Sequence, residues 1–469
     1  MKVRAAAWAG QFYPEEPEAL AERVDALLAE APELRFEGKV VAALSPHAGY
    51  DYSGRAAAKV YRALKGGLFD LAVVIGTHYP DREGLFLAPY DAYRTPLGEI
   101  PVAAEAAKAL KAVPGASFSA EAHADHSVEV QLPFLQRALG ELELLPLVAN
   151  LRTAQEARRF GEALAEAVQG RRAVFIASSD LSHFPDARTS RGVDPASMDA
   201  FLTLDPEYLF LADRLILEHD APNLRCAWCG LGSAAMALCA ARRLGADGAR
   251  LLDCTNSHEA GGEEERTVGY GAALLLKGGG GPPPWPVLDL TAEEGRELVA
   301  LAQGSLEEFL RTGRSPGRRL YDRPRFNLPA AVFVTWEEAD WKQGGLRGCI
   351  GTVEARETLG DATARCAILS AQDDPRFPPV TLEDLPRLKA EVSVLSPLRR
   401  IRPSDVRPGL GIQVRRGSRE GLFLPQVWEK LPEVEEFMSV LCRQKAGLPA
   451  GAWREPGTEL KGFSTRCYR

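Results

Sequence analysis

Seven histidines, at positions 47, 78, 123, 126, 183, 219 and 258, all precede a run of four glycines and three prolines at 278–284 in this 469-residue chain. Three of them follow short apolar runs: His47 comes after VVAALSP, His78 after LAVVIGT and His183 after AVFIASSDLS. Such runs, with no polar alternation, read as central strands covered on both faces. If the three strands lie parallel in one sheet, their C-terminal ends share an edge, where neutral imidazoles can converge on one divalent metal. His258, in Asn256-Ser257-His258-Glu259 after LLDCT, is a fourth candidate. A lone histidine at a strand end is more often a hydrogen-bonded structural residue, whereas four together favour a site. His123 and His219 lack such context.

Two cysteine patterns compete for attention. Cys226-Ala227-Trp228-Cys229 is a CxxC, which reads as a redox pair or half a zinc site. An amphipathic helix follows it, GLGSAAMALCAARRL, and no second CxxC completes a four-cysteine cage, so it ranks below the histidines. In Gly345-Leu346-Arg347-Gly348-Cys349-Ile350-Gly351, glycines would let backbone N–H groups approach a ligand. There Arg347 offers a bidentate grip on an anion and Cys349 a thiolate, so both are expected to bind substrate. The alternative is a tight glycine turn with a buried cysteine and an arginine holding a neighbouring carboxylate.

The elements that must position these residues fall into two sets. Up to residue 277, short apolar runs alternate with Ala/Leu/Glu-rich helical stretches, which predicts an α/β domain. Residues 278–286 are expected to form a linker, flexible at its glycines and semi-rigid at its prolines. Residues 287–469, with an opening helix near TAEEGRELVALAQGSLEEFL and strands AVFVTWE and AEVSVLSP, predict a separate α+β domain.

The motifs Ala9-Gly10-Gln11-Phe12-Tyr13-Pro14, Pro46-His47-Ala48-Gly49-Tyr50, His126-Ser127-Val128-Glu129-Val130-Gln131-Leu132-Pro133 and Ser178-Ser179-Asp180-Leu181-Ser182-His183 resemble, in order, those of the Memo family. That resemblance implies a fold similar to class III extradiol ring-cleaving dioxygenases and a pocket corresponding to their non-haem iron site. His47 and His78 match the two histidine ligands, and His126 and His183 the pocket histidines beside substrate. His126, His183 and Asp180 are thus the expected catalytic residues, with Asp180 orienting the imidazole or the substrate, and Tyr50 is expected to contact substrate. The dioxygenases use a glutamate as third ligand, and animal Memo proteins a cysteine. Here Thr267-Val268-Gly269-Tyr270 as anchor puts His258 nearest, with Glu259 second. Two histidines and a carboxylate would suit Fe(II), and three histidines zinc, copper or iron. Iron is the first expectation.

From about Leu290 onward, Gly345 to Thr352, Asp374-Pro375-Arg376-Phe377-Pro378-Pro379-Val380 and Glu391 to Leu395 resemble the AMMECR family in sequence and order. Proteins of these two families in bacteria and archaea are typically encoded with a radical-SAM-like protein. The resemblance therefore implies the joint system called AmmeMemoRadiSam, in which this chain supplies two parts. It lacks the CxxxCxxC cluster motif, so radical chemistry would belong to the partner. The expected function is a metal-dependent, dioxygenase-like reaction on an unknown small molecule. A non-catalytic metal- or ligand-binding adaptor, or an assembly module, is the alternative.

Composition narrows the classes further. At 46% hydrophobic and 26% charged the chain is globular, and a net charge of −8 gives no electrostatic case for nucleic acid. No apolar run approaches the roughly 20 residues of a membrane span, and no export signal is visible, so the expected location is cytoplasmic. Eight cysteines then read as thiols or ligands rather than disulfides. Self-association is left open.

Overall fold

In a computed structural model, which describes residues 2–77, 82–281, 285–338 and 345–469, the chain divides into two compact units, residues 1–284 and 285–469. His78 lies outside the described residues.

The first unit is built on an eight-stranded sheet. Its strands in chain order are β1 (Lys39–Ser45), β2 (Leu71–Gly76), β3 (Gly84–Leu87), β4 (Ala116–Phe118), β5 (Glu143–Asn150), β6 (Ala173–Ser178), β7 (Gly248–Asn256) and β8 (Gly269–Lys277). Their spatial order is β7-β8-β1-β6-β2-β5-β3-β4. The four central strands β1, β6, β2 and β5 are parallel, as the apolar runs predict. β2 is buried at every residue, which is why it carries no polar alternation. Ser45 at the end of β1 pairs with Ser178 at the end of β6, and β2 lies on the far side of β6. The segments carrying His47 and His183 therefore leave adjacent strands at one edge of the sheet.

The glycines after β8 are less free than a flexible linker implies. The N–H groups of Gly278 and Gly279 both donate to Asp247. Among the described residues no helix is long and apolar enough to cross a membrane.

The second unit is α+β. Its long helix Ala292–Thr312 starts at a capping box formed by Thr291 and Glu294 and stops at Gly313, whose φ of 70° suits a residue without Cβ. One antiparallel sheet joins, in the order given, Leu346–Gly351, Pro329–Glu338, Leu388–Leu395 and Thr465–Tyr468. A second joins Arg399–Arg400, Glu459–Phe463, Gly411–Arg416 and Arg419–Phe423.

Candidate metal and substrate site

His47 sits two residues past β1, buried to 1% exposure. Its backbone N–H donates to Oδ1 of Asp180 at 2.8 Å, which ties the loop after β1 to the loop after β6. The ring is oriented by a chain of buried hydrogen bonds. Tyr61 donates its hydroxyl to Oε1 of Gln131 at 2.7 Å, and Nε2 of Gln131 donates to Oγ of Ser178 at 2.8 Å. Ser178 gives its one proton to the carbonyl of Ser127 at 2.5 Å, so it can only accept at Nδ1 of His47, 3.1 Å away. Nδ1 therefore carries the proton, and Nε2 keeps a lone pair.

That lone pair faces sulfur. Sγ of Cys229 lies 3.2 Å from Nε2 of His47, and the ligand atoms of His47, Asp180 and Cys229 all lie within 4.8 Å of one another. Two contacts bring Cys229 there: its amide donates to the carbonyl of Asp180 at 3.3 Å, and its sulfur accepts from the amide of Asp180 at 3.1 Å. Gly230 permits the approach, because a Cβ at that position would stand 2.9 Å from Cβ and Oγ of Ser179. The helix Leu231–Arg243 starts immediately afterwards.

His183 is fixed by an antiparallel bridge to Cys226, its amide donating to the Cys226 carbonyl at 3.1 Å. Oδ2 of Asp180 lies 3.9 Å from Nε2 of both His47 and His183. His126 opens a short helix, His126–Glu129, and its ring stacks on Phe12 at 4.3 Å and meets Trp8 and His47 edge-on. The same helix explains why the first and third motifs travel together: buried Glu129 accepts from Arg4, Tyr13 and the amides of Ala7 and Trp8, clamping the Phe12 segment over His126. Burial holds His47, His126 and His183 below the ordinary histidine range, so all three are neutral at pH 7. Burial likewise pushes the Cys229 thiol and the Asp180 carboxyl up.

His47, His126, Asp180, His183 and Cys229 line a cleft of about 1210 Å³, walled by Phe184, Phe210 and Trp228. Thr77 also lines it, one residue before His78.

Several expected site residues stand elsewhere. His258 lies in the turn after β7, its Nδ1 3.2 Å from the carbonyl of Gly262, and Glu259 accepts from Thr255 at 2.6 Å. Neither lines the cleft. β7 is the edge strand, two positions beyond β1, which at about 5 Å per strand sets it roughly 10 Å aside. Tyr50 is a core residue, giving its hydroxyl to the carbonyl of Val130 at 2.8 Å and packing on Phe134. In the second unit Arg347 is 3% exposed, donates to the carbonyl of Pro378 at 2.6 Å and lies 3.6 Å from Asp384. These contacts tie the strand that carries it to the loop of Pro378 and Asp384. Burial pushes the Cys349 thiol up, away from the expected thiolate. Cys229 is the residue that sequence reasoning passed over, and its signal was a cysteine followed by glycine at a helix start.

A family model described as Memo-like protein matches residues 4–274, and one described as AMMECR1 matches residues 299–468. The MEMO1 family protein of Methanosarcina mazei is 34% identical over 276 residues, covering 58% of this chain and 98% of its own length. That of Aquifex aeolicus is 33% identical over 276 residues, with the same coverage. Among solved structures, uncharacterized protein PH0010 from Pyrococcus horikoshii is 38% identical, covering 38% of this chain and 92% of its own, with a TM-score of 0.35. Uncharacterized protein JW3007 from Escherichia coli K12 is 13% identical, covering 50% of this chain and 100% of its own, with a TM-score of 0.36.

Proposed function

Because the chain belongs to the Memo family through its first unit and carries an AMMECR1 domain in its second, we propose that the cleft is a divalent-metal site where a small molecule is transformed in a non-haem, dioxygenase-like reaction. One observation carries the reading: the free lone pair of His47 Nε2 meets the sulfur of Cys229 at 3.2 Å, in the lining of an open cleft.

The donor set fits a transition metal. Without metal, the contact is the hydrogen bond of a protonated thiol to an imidazole, and a cation binds by displacing that thiol proton. Imidazole and thiolate together suit iron, zinc or copper, and iron is the identity proposed for a dioxygenase-like fold. His47 and Cys229 would hold it with His78, the ligand implied by family resemblance, while Asp180 stands by as a carboxylate. Ser178 supplies the outer hydrogen bond that metal-ligating histidines usually make. A metal bound there supplies Lewis-acid or redox chemistry.

The chain's own residues do the rest. His183 and His126, neutral at pH 7, can each take a proton from a bound molecule, and Asp180 would stabilise the imidazolium formed on His183. Phe184, Phe210 and Trp228 give the molecule an apolar wall and limit water around the reacting atoms. A radical-SAM-like protein is part of this proposal as partner, and its co-purification with the tagged full chain tests that part.

The site is tested by anaerobic purification of the full chain and elemental analysis of wild type, His47→Ala, Cys229→Ser and His258→Ala. Near-stoichiometric iron or another transition metal is expected in wild type and His258→Ala, and loss in the other two. Full metal in Cys229→Ser, or none in wild type after supplementation, overturns the reading.

A further inference from the structure

Four arginines, Arg82, Arg152, Arg214 and Arg225, line the cleft alongside two aspartates, Asp180 and Asp213. The glutamates that pair with the first three, Glu121, Glu83 and Glu218, stand outside the lining, in exposed contacts of 3.4 to 3.9 Å that contribute little. Asp180 is engaged by the His47 amide. Burial pushes the Asp213 carboxyl up to about 7, so it offsets only part of the positive charge. The lining of the cleft thus carries more guanidinium than carboxylate groups, which favours an anionic ligand.

Arg225 differs from the other three in its pairing rather than in its ring contact, since Arg82 also lies over a ring, that of Phe86, at 5.6 Å. Its guanidinium lies over the ring of Phe184, 5.5 Å from the centroid, a ring it shares with Arg266 at 4.1 Å; of the two only Arg225 lines the cleft, and among the described residues no carboxylate pairs with it. A guanidinium held over a ring and not paired with a carboxylate has N–H groups available for two parallel hydrogen bonds to a carboxylate or phosphate. Phe184 is itself held at a φ of 74°, a left-handed conformation unfavourable for a residue with a side chain, by its amide donating to the Thr267 carbonyl at 2.7 Å. The backbone connects this pair to the reacting end of the cleft. The Arg225 amide donates to the His183 carbonyl at 3.1 Å, within the same bridge that fixes His183 against Cys226.

We propose that Arg225, set over Phe184, anchors an anionic group, carboxylate or phosphate, of the small molecule the cleft takes, and so turns the rest of that molecule toward His183, His47 and Cys229. The inference rests on the cleft being the small-molecule site described above.

The test is calorimetric titration of the full chain, metal-stripped and metal-loaded, with four probes of similar ring size: benzoate, phenyl phosphate, benzyl alcohol and benzylamine. At least one anion is expected to bind ~10-fold or more tightly than benzyl alcohol, the gain of a charge-assisted pair. Whichever anion gains more names the source of the group. Arg225→Gln should bring the anions to within about threefold of benzyl alcohol while leaving the affinity for benzyl alcohol and the far-ultraviolet dichroism unchanged, that residual being the weaker pull of the other rim arginines. Arg225→Lys, which keeps the charge without the fork, should retain part of the gain. The inference is overturned if the anions gain nothing, if benzylamine binds best, if no probe binds, or if Arg225→Gln keeps the full preference. Metal content separates the two readings. Protein that holds metal and shows no anion preference overturns this inference alone. Protein without metal overturns the reading of the site, and its metal-free titration still decides the anion preference.

Discussion

Ser178 accepts a hydrogen bond from His47 because its own proton is committed to the carbonyl of Ser127, and this fixes which imidazole nitrogen faces Cys229. Ser178→Ala removes the acceptor and leaves Nδ1 without its partner. Metal affinity is expected to fall ~10- to 100-fold, the usual cost of losing an outer-sphere partner. Stability should fall by about 1–3 kcal/mol as buried groups lose their bonds. Competition with a chelator of known affinity measures the first, and equal affinity in both proteins would remove Ser178 from the site.

The clamp on His126 makes a second test. Glu129 is fully buried and ion-paired with Arg4, which is itself buried. Glu129→Leu leaves the Arg4 charge without its counter-ion, and breaking such a pair from one side costs about 3–5 kcal/mol. Denaturant unfolding checks the magnitude. Double replacement, Arg4→Met with Glu129→Leu, should recover a large part of the loss, because neither charge then remains stranded.

The reach of sequence reasoning follows from what each residue depends on. His47 and His183 were legible because each closes an apolar run, and a parallel sheet delivers the ends of such runs to one edge without further information. Cys229 was not, because its place depends on the absence of a Cβ at Gly230 and on amide contacts with Asp180, neither of which spacing encodes. His258 follows a strand as His47 does, but periodicity carries no strand order, and its strand lies at the sheet edge. Arg347 was read from its glycine neighbours as a ligand grip, whereas its partners Pro378 and Asp384 come from a loop that begins well over two dozen residues further along the chain.

In the second unit the paired motifs Gly345–Thr352 and Asp374–Val380 are joined by one carboxylate. Asp374 accepts from the amide of Cys349 and from Arg376, whose guanidinium holds the carboxyl down to about 2. The folded-state value lies below the unfolded one of about 3.9, so the stabilisation is fully present above pH 4 and is lost as pH falls toward 2. About 1–2 kcal/mol is expected, less than the full shift implies because Arg376 is half exposed to solvent. Asp374→Asn should lose that amount at pH 7 and make the fall in stability of this unit between pH 4 and 2 shallower than in wild type, measured by denaturant titration. A parallel pH profile in variant and wild type would show that the carboxylate contributes nothing.

Gly230 gives the sharpest separation of fold from site. Its φ of −120° is not the left-handed conformation that favours glycine, so what decides Gly230→Ala is what the added Cβ meets. The added Cβ would instead meet Ser179 at 2.9 Å and the Ser178 carbonyl at 3.2 Å, and relief requires the Cys229–Gly230 turn to move away from the loop after β6. Overpacking of this kind costs about 1–3 kcal/mol, too little to unfold a unit with so large a sheet core. The same movement draws Cys229 from His47, and a small displacement of one ligand is enough to spoil a metal site. A folded Gly230→Ala protein with metal affinity reduced at least ~10-fold is therefore expected, read by chelator competition beside thermal unfolding. Full affinity in the folded variant would mean that the Cys229 sulfur is not a ligand, since its position could then shift without consequence.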